Sequence, residues 1–558
     1  MRTTAVAPLL VAGAAALPEL SVAKRDVHGR ASPLARGMVR RDGTDETVVY
    51  DILAYSSGGA YYANVTVGTP PQDQVVILDT GSSDLYFDAT SSTACQSSSS
   101  DPNGCRGGSY DPSKSSTYNE VEASPAFNTS FGDGSTAQGP YGSDIVSIGD
   151  VAISNVQFGV ADEVSSTTGY AIGLMGVGYS LNEATSSASK DYPNMPEVLK
   201  NAGVIASRLY SLFLNDLAGI SGSILFGGID TSKYTGDLVA VNILPTDPSV
   251  FQQEGLQDPS EVYQFVTTVT GMTANIKGKS TTVFSGGVDG VAGYSDSNTL
   301  PVLLDSGSSA WSLDSSAYKN FIEPVFTFVD SNSTCSCKHQ NDDISITLEF
   351  AGKIKITVPA SEFIVPAYDP ATNAPIPYTD GTETCLFMIS PSPSTGQGFQ
   401  TMGDAIMRSM YIVYDLDNAQ MALAQANTNP GKSNIVKVPA GPNGIASAIS
   451  SGYSSVASNT AATIAQAVSA TVKYSASTLA TPVGTATGTA AVPNDAQVTQ
   501  IAATNSANSG TGSSSSHGSS SSSTSAGAAA ASIPIFDKSG LYVSLIAACM
   551  AGIGAFAL

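Results

Sequence analysis

An aspartate followed by a small hydroxyl residue, a glycine and two serines occurs twice in the 558-residue sequence, each time at the end of an apolar run. The first copy reads Val75-Val76-Ile77-Leu78-Asp79-Thr80-Gly81-Ser82-Ser83. The second reads Pro301-Val302-Leu303-Leu304-Asp305-Ser306-Gly307-Ser308-Ser309. A run of β-prone apolar residues reads as a buried strand, and the glycine just past it marks a sharp turn. Each carboxylate therefore stands at a strand end, where a tight loop exposes it to a cleft. One Asp-Ser-Gly stretch alone would be an ordinary turn, since those residue types dominate turns. Two copies with matching flanks point to two related lobes, each contributing one acid.

Two carboxylates that share one proton can do general acid–base chemistry, because like charges at close range do not both ionise. The ionised partner can take a proton from water while the protonated partner donates a hydrogen bond to the group under attack. Asp79 and Asp305 are the residues expected to carry this, with the titration belonging to the pair. The chemistry requires no metal and no cofactor, and it favours acid because neutral conditions ionise both acids.

Histidine bounds the competing chemistries. Of three, His28 and His517 fall in segments that read as non-domain. A Ser-His-Asp or Cys-His enzyme would have to use His339 alone, and a His-rich metal site cannot be built. His339 lies beside Cys337 and Lys338 in a polar stretch and reads as a solvated loop residue. The net charge of −23, with few Lys and Arg, excludes the basic patch that nucleic acid needs. A carboxylate-rich surface also suits work in acid, where repulsion falls.

The elements that must position the acids read as short strands broken by Gly, Pro, Asn and Asp, so the class is all-β. A helix is expected near Met195–Ala202. The apolar-apolar-Gly stretches Leu174-Met175-Gly176 and Thr401-Met402-Gly403 are expected to pack backbone beside the acid loops, where a side chain would clash. The sole tryptophan, Trp311, reads as core.

Four further segments, in order, join the acid loops: Phe131-Gly132-Asp133-Gly134-Ser135; Gly173-Leu174-Met175-Gly176-Val177-Gly178; Ile224-Leu225-Phe226-Gly227-Gly228-Ile229-Asp230; and Met402-Gly403-Asp404 with Tyr411-Ile412-Val413-Tyr414-Asp415. On these the sequence resembles the pepsin-like aspartic proteases from about Tyr61 to about Ala426, most closely the secreted and glycolipid-anchored fungal branch of yapsins and candidapepsins. The resemblance implies a bilobal all-β fold with a cleft between an N-terminal lobe (42–225) and a C-terminal lobe (226–428). It implies a monomeric endopeptidase acting on proteins and peptides. Thr80 and Ser306 would cross-brace the two loops at Gly81 and Gly307, and Ser82 and Ser308 would donate to the outer carboxylate oxygens.

By the same resemblance, Phe131, Gly132, Asp133 and Ser135 form a flap hairpin that closes over substrate; Asp-Gly is a hairpin signal in its own right. The family usually carries Tyr at Phe131 and Trp at Tyr86, and those rings share a hydrogen bond that this chain cannot make in that form. Asp133 would pair with a basic residue before the cut, and it equally suits the turn itself. The changed pair also motivates an alternative, a pepsin-like wall mannoprotein without catalysis.

Outside the lobes, residues 1–20 read as a secretory signal. Residues 21–41 carry six basic residues against Asp26 and end in Arg40-Arg41. They read as a propeptide that lies over the anionic cleft as its own inhibitor. Residues 429–527, rich in Ser, Thr and Ala, cannot bury enough surface to fold and read as a glycosylated stalk. Residues 528–558 read as a glycolipid-anchor signal that is removed, placing the protein at the plasma membrane or cell wall. Cys95–Cys105 is the simplest loop disulfide. Cys335 and Cys337 both remain open as partners of Cys385, with Cys337–Cys385 preferred. Asn64, Asn128 and Asn332 begin glycosylation sequons.

Overall fold

The computed structural model describes residues 60–455, except 97–103, 123–125, 149–150, 167–170, 185–191, 218–220, 245–261, 263, 286–299, 368–374, 393–398 and 450, together with the strand Glu19–Lys24. The expected stalk and anchor signal and most of the expected leader and propeptide lie outside the described residues.

Hydrophobic period decides the strands. Ile344–Phe350, Ile-Ser-Ile-Thr-Leu-Glu-Phe, buries every second residue, as does its partner Ile354–Pro359, so this hairpin covers the core with one face only. Leu300–Leu304 and Met410–Asp415 are buried on both faces and read as continuous apolar runs. Helices are short. The longest among the described residues, Met195–Asn201, starts at the predicted place, with Pro196 in its first turn.

A 14-stranded sheet takes in most strands of the first half of the chain and, from near the end, Met410–Asp415, Gln420–Ala426 and Tyr453–Ser455. A separate eight-stranded sheet is built between Val266 and Met402. The halves are stitched where Leu209–Phe213 pairs antiparallel with Met410–Asp415, Tyr210 opposite Tyr414. Those two rings stack with centroids 4.9 Å apart. This is the mostly-β, two-lobed architecture expected. Glu19–Lys24, which crosses the predicted boundary between leader and propeptide, lies in the first sheet between Ser221–Phe226 and Tyr61–Val67.

Trp311 is fully buried in the core. Cys95 is bonded to Cys105 and Cys337 to Cys385, leaving Cys335 as a buried thiol. Cys335 stands opposite Cys385 across the strand pair, while the bond runs to Cys337, two residues farther along.

His339 corrects the sequence reading: it is not a solvated loop residue. The short helical turn Cys337–Asn341, pinned by the disulfide, folds the imidazole onto Phe328 with ring centroids 4.3 Å apart. It is 5% exposed, and its Nδ1 lies 2.9 Å from Asp342 Oδ2. Burial pushes its pKa down, and the Asp342 carboxylate pulls the other way.

Candidate active site

Each acid is delivered by a strand that a second strand clamps in parallel. Gln72–Asp79 runs beside Gly173–Gly176 with Gly176 opposite Asp79, and the Val177 N–H donates to the Asp79 carbonyl at 2.9 Å. Leu300–Leu304 runs beside Gln400–Met402, and the Asp305 N–H donates to the Met402 carbonyl at 3.1 Å. Glycine is demanded at the crossings. A Cβ on Gly176 would meet the Ser83 nitrogen at 2.4 Å, and one on Gly403 the Ser308 carbonyl oxygen at 2.5 Å.

The two loops repeat one bonding pattern. The Gly81 N–H donates to Asp79 Oδ1 at 2.7 Å and the Gly307 N–H to Asp305 Oδ1 at 2.8 Å. Ser82 Oγ donates to Asp79 Oδ2, and Ser308 Oγ to Asp305 Oδ2 at 2.7 Å. The carboxyls face each other across the glycines. A Cβ on Gly81 would lie 2.6 Å from the Asp305 carboxyl carbon. One on Gly307 would lie 2.5 Å from Asp79 Oδ1 and 3.2 Å from Asp305 Oδ1. Both inner oxygens thus crowd one atom-sized point, and any side chain there would fill it. Burial, then the neighbouring Asp305 charge and hydrogen bond, hold the Asp79 carboxyl well above the usual carboxylate range.

Behind the acids, Thr80 and Ser306 exchange bonds. The Thr80 N–H donates to Ser306 Oγ at 3.1 Å and the Ser306 N–H to Thr80 Oγ1 at 2.9 Å. Each hydroxyl then donates across the seam, Thr80 to the Leu304 carbonyl and Ser306 to the Leu78 carbonyl, both at 2.9 Å. All four bonds are buried, which fixes one lobe's acid against the other's.

Over this floor stands the hairpin of Phe127–Ser130 and Thr136–Gly139, turning through Phe131–Ser135 with Gly134 at φ +87°. Asp133 Oδ1 accepts the Ser135 N–H and Oδ2 accepts Ser135 Oγ, both at 2.8 Å, so this carboxylate shapes the turn. Phe131 and Tyr86 lie ring to ring at 6.3 Å, and Phe127 is 5.4 Å from Tyr86. The contact beneath the turn is apolar. The Tyr86 hydroxyl instead reaches the Ile172 carbonyl at 3.5 Å.

Several residues around the site escaped the sequence reading. Asn182 Nδ2 donates to the Gly81 carbonyl at 3.0 Å, bracing the first loop from behind. Asp84 is buried and accepts from Tyr192 Oη and the Ala184 N–H, both at 2.7 Å. Burial raises its pKa to about 6 against those donors. Asp88 is buried with neither carboxyl oxygen bonded among the described residues, and burial raises it to about 7. The only available signal was their place in the polar-then-apolar run Ser83-Asp84-Leu85-Tyr86-Phe87-Asp88, where two acids frame a strand. Asn128 is exposed on a flap arm, and Asn64 and Asn332 are half-buried; none lies in the acid loops. Among the described residues no cluster of His, Cys, Asp and Glu could hold a metal ion, and no helix is long and apolar enough to cross a membrane.

Residues 60–426 match the family model described as eukaryotic aspartyl protease. A probable aspartic-type endopeptidase, opsB, of Aspergillus fumigatus is 35% identical over 421 residues, covering 75% of this chain and 78% of that protein. Aspartic proteinase yapsin-3 of Saccharomyces cerevisiae is 31% identical over 387 residues, 67% of this chain and 68% of its own. Secreted aspartic protease 7 of Candida albicans is 32% identical over 376 residues, 66% and 60% respectively.

Proposed function

The chain belongs to the eukaryotic aspartyl protease family and is an aspartic endopeptidase; from that premise we propose that Asp79 and Asp305 are its catalytic acids, sharing one proton across the seam. What carries this is the crowding of their inner oxygens around one point, with the outer oxygens held by Ser82 and Ser308. A water seated there is deprotonated by the ionised partner as it attacks the peptide carbon. The protonated partner donates to the carbonyl oxygen, and the resulting diol collapses as a proton reaches the leaving nitrogen. The outer hydroxyls and the glycine N–H groups orient the carboxylates and leave the inner edges for substrate. Phe131 and Tyr86 shut the pocket by ring packing, which excludes solvent once substrate is bound.

The same reading extends to the cell. The chain is secreted, the basic segment 21–41 restrains the acidic cleft until cut after Arg41, the Ser/Thr/Ala stretch 429–527 is a stalk, and the tail 528–558 directs a glycolipid anchor. The yapsin and secreted protease relatives support a secreted or cell-surface setting. Asp133, at the tip of the flap, favours a basic residue before the cut, and the enzyme works as a monomer on protein substrates without a metal or cofactor.

Cleavage of a denatured protein at about pH 4 tests the assignment. Asp79→Asn and Asp305→Asn are each expected to lower the rate by about 10³-fold or more. Undiminished cleavage by either variant overturns the pair.

A further inference from the structure

Building on that endopeptidase reading, we propose that Asp88 supplies the counter-charge for a lysine or arginine side chain of the substrate entering the pocket beneath the flap. Asp88 ends the strand Leu85–Asp88, and alternation puts it on the same face as Tyr86. The pairing agrees. Asp88 stands opposite Ala161 and Tyr86 opposite Gly159 in the parallel partner. Ala161 belongs with Tyr86, Phe127, Ala137 and Leu174 to the apolar cluster under the flap, against which Phe131 packs. Gly159 carries the Phe127 ring where a side chain would be. Asp88 is thus the one acid on this face of the strand whose carboxyl has no donor among the described residues, although it is fully buried.

Asp84, on the same side of the chain, is the contrast: Tyr141, Tyr192 and the Ala184 N–H already donate to its carboxyl. Burial alone acts on Asp88, so the carboxyl is held protonated in acid in the free enzyme and gives up its proton as an entering cation pairs with it. A buried carboxylate is tolerated when something pairs with it. The charges of Asp88, Asp133 and Asp79 all bear on the Tyr86 hydroxyl. A Lys or Arg stem can lie along Tyr86 and Phe131 while its charged head passes the ring tip. Asp133 meets the cation at the entrance, and Asp88 pairs with it at depth when the hairpin lifts.

The test is kcat/KM at about pH 5 for matched peptides carrying Lys or norleucine before the cut, and again two residues upstream. Cleavage of neither peptide by the processed parent enzyme would count against the endopeptidase reading itself. Given cleavage, the Lys-to-norleucine ratio at one of the two positions is expected to fall at least tenfold in Asp88→Asn and in Asp88→Thr. An unchanged ratio in a folded variant overturns the assignment. Should both variants fail to fold, a crystal structure of the parent with a non-cleavable lysine peptide decides. The lysine Nζ within hydrogen-bond reach of Asp88 supports it, and Nζ on Asp133 alone or in solvent overturns it.

Discussion

Thr80 and Ser306 hold each other across the seam between the lobes by a two-way exchange, each backbone N–H donating to the other's hydroxyl at 3.1 and 2.9 Å. Neither residue touches the inner oxygens, yet both set the distance between the acids. Thr80→Val keeps the shape and removes the hydroxyl, leaving the Ser306 N–H buried without its acceptor. The cost is expected to be about 1–3 kcal/mol in urea unfolding. Because a displacement of a fraction of an ångström at the dyad slows chemistry more than binding, kcat should fall about tenfold or more with KM little moved. Thr80→Ser, which restores the hydroxyl, should recover both. A Thr80→Val enzyme with unaltered kcat would separate the brace from catalysis.

Two buried carboxyls near the cleft make the fold depend on pH in a definite direction. Asp84 is raised to about 6 and Asp88 to about 7, from an ordinary value of 3.8. Between about pH 4 and 7 the folded chain therefore holds more protons than the unfolded one, so stability falls as pH rises. The stabilisation is complete below about 4 and lost by about 7, on the order of 3 kcal/mol for each group. Melting temperature measured from pH 4 to 7.5 should decline steadily, and Asp88→Asn should flatten the upper part of that decline. A flat profile in the parent would contradict the burial of both acids.

The acid loops were legible because they combine two signals, an apolar run of strand type and an Asp-hydroxyl-Gly turn, and because they are repeated. Gly176 and Gly403 were legible for the same reason: backbone crossings leave no room for a Cβ, and the sequence marks them with glycine. His339 misled because its neighbours are polar, whereas its burial is decided by a disulfide and by Phe328, 11 positions away in the chain. Asp88 was invisible, since a charged residue at a strand end ordinarily faces water and only the pairing with Ala161 turns it inward. The preferred pairing of Cys337 rather than Cys335 with Cys385 is the one the structure has.

Arg408 sits in an apolar run, Met407-Arg408-Ser409-Met410-Tyr411, and a single cation there was a readable clue to a buried ion pair. It is 1% exposed, and its Nε and Nη1 donate to Glu362 Oε2 and Asp404 Oδ1, both at 2.5 Å. Its Nη2 donates to the Glu362 carbonyl. The Glu362 carboxylate also accepts the Leu217 N–H at 3.1 Å, and the Arg408 charge bears on the Tyr61 hydroxyl. One guanidinium thus joins the start of the first lobe to the helical turn Asp404–Met407 behind the second acid loop. Arg408→Met would leave two buried carboxylates without their cation, a loss of about 3–5 kcal/mol at neutral pH. Neutralising the whole group in Arg408→Met/Glu362→Gln/Asp404→Asn should recover much of the loss, since the pairing and desolvation terms nearly cancel. Unfolding curves at pH 7 for the single and triple variants check this. A single variant within about 0.5 kcal/mol of the parent at pH 7 would mean that Arg408 does not hold the lobes together.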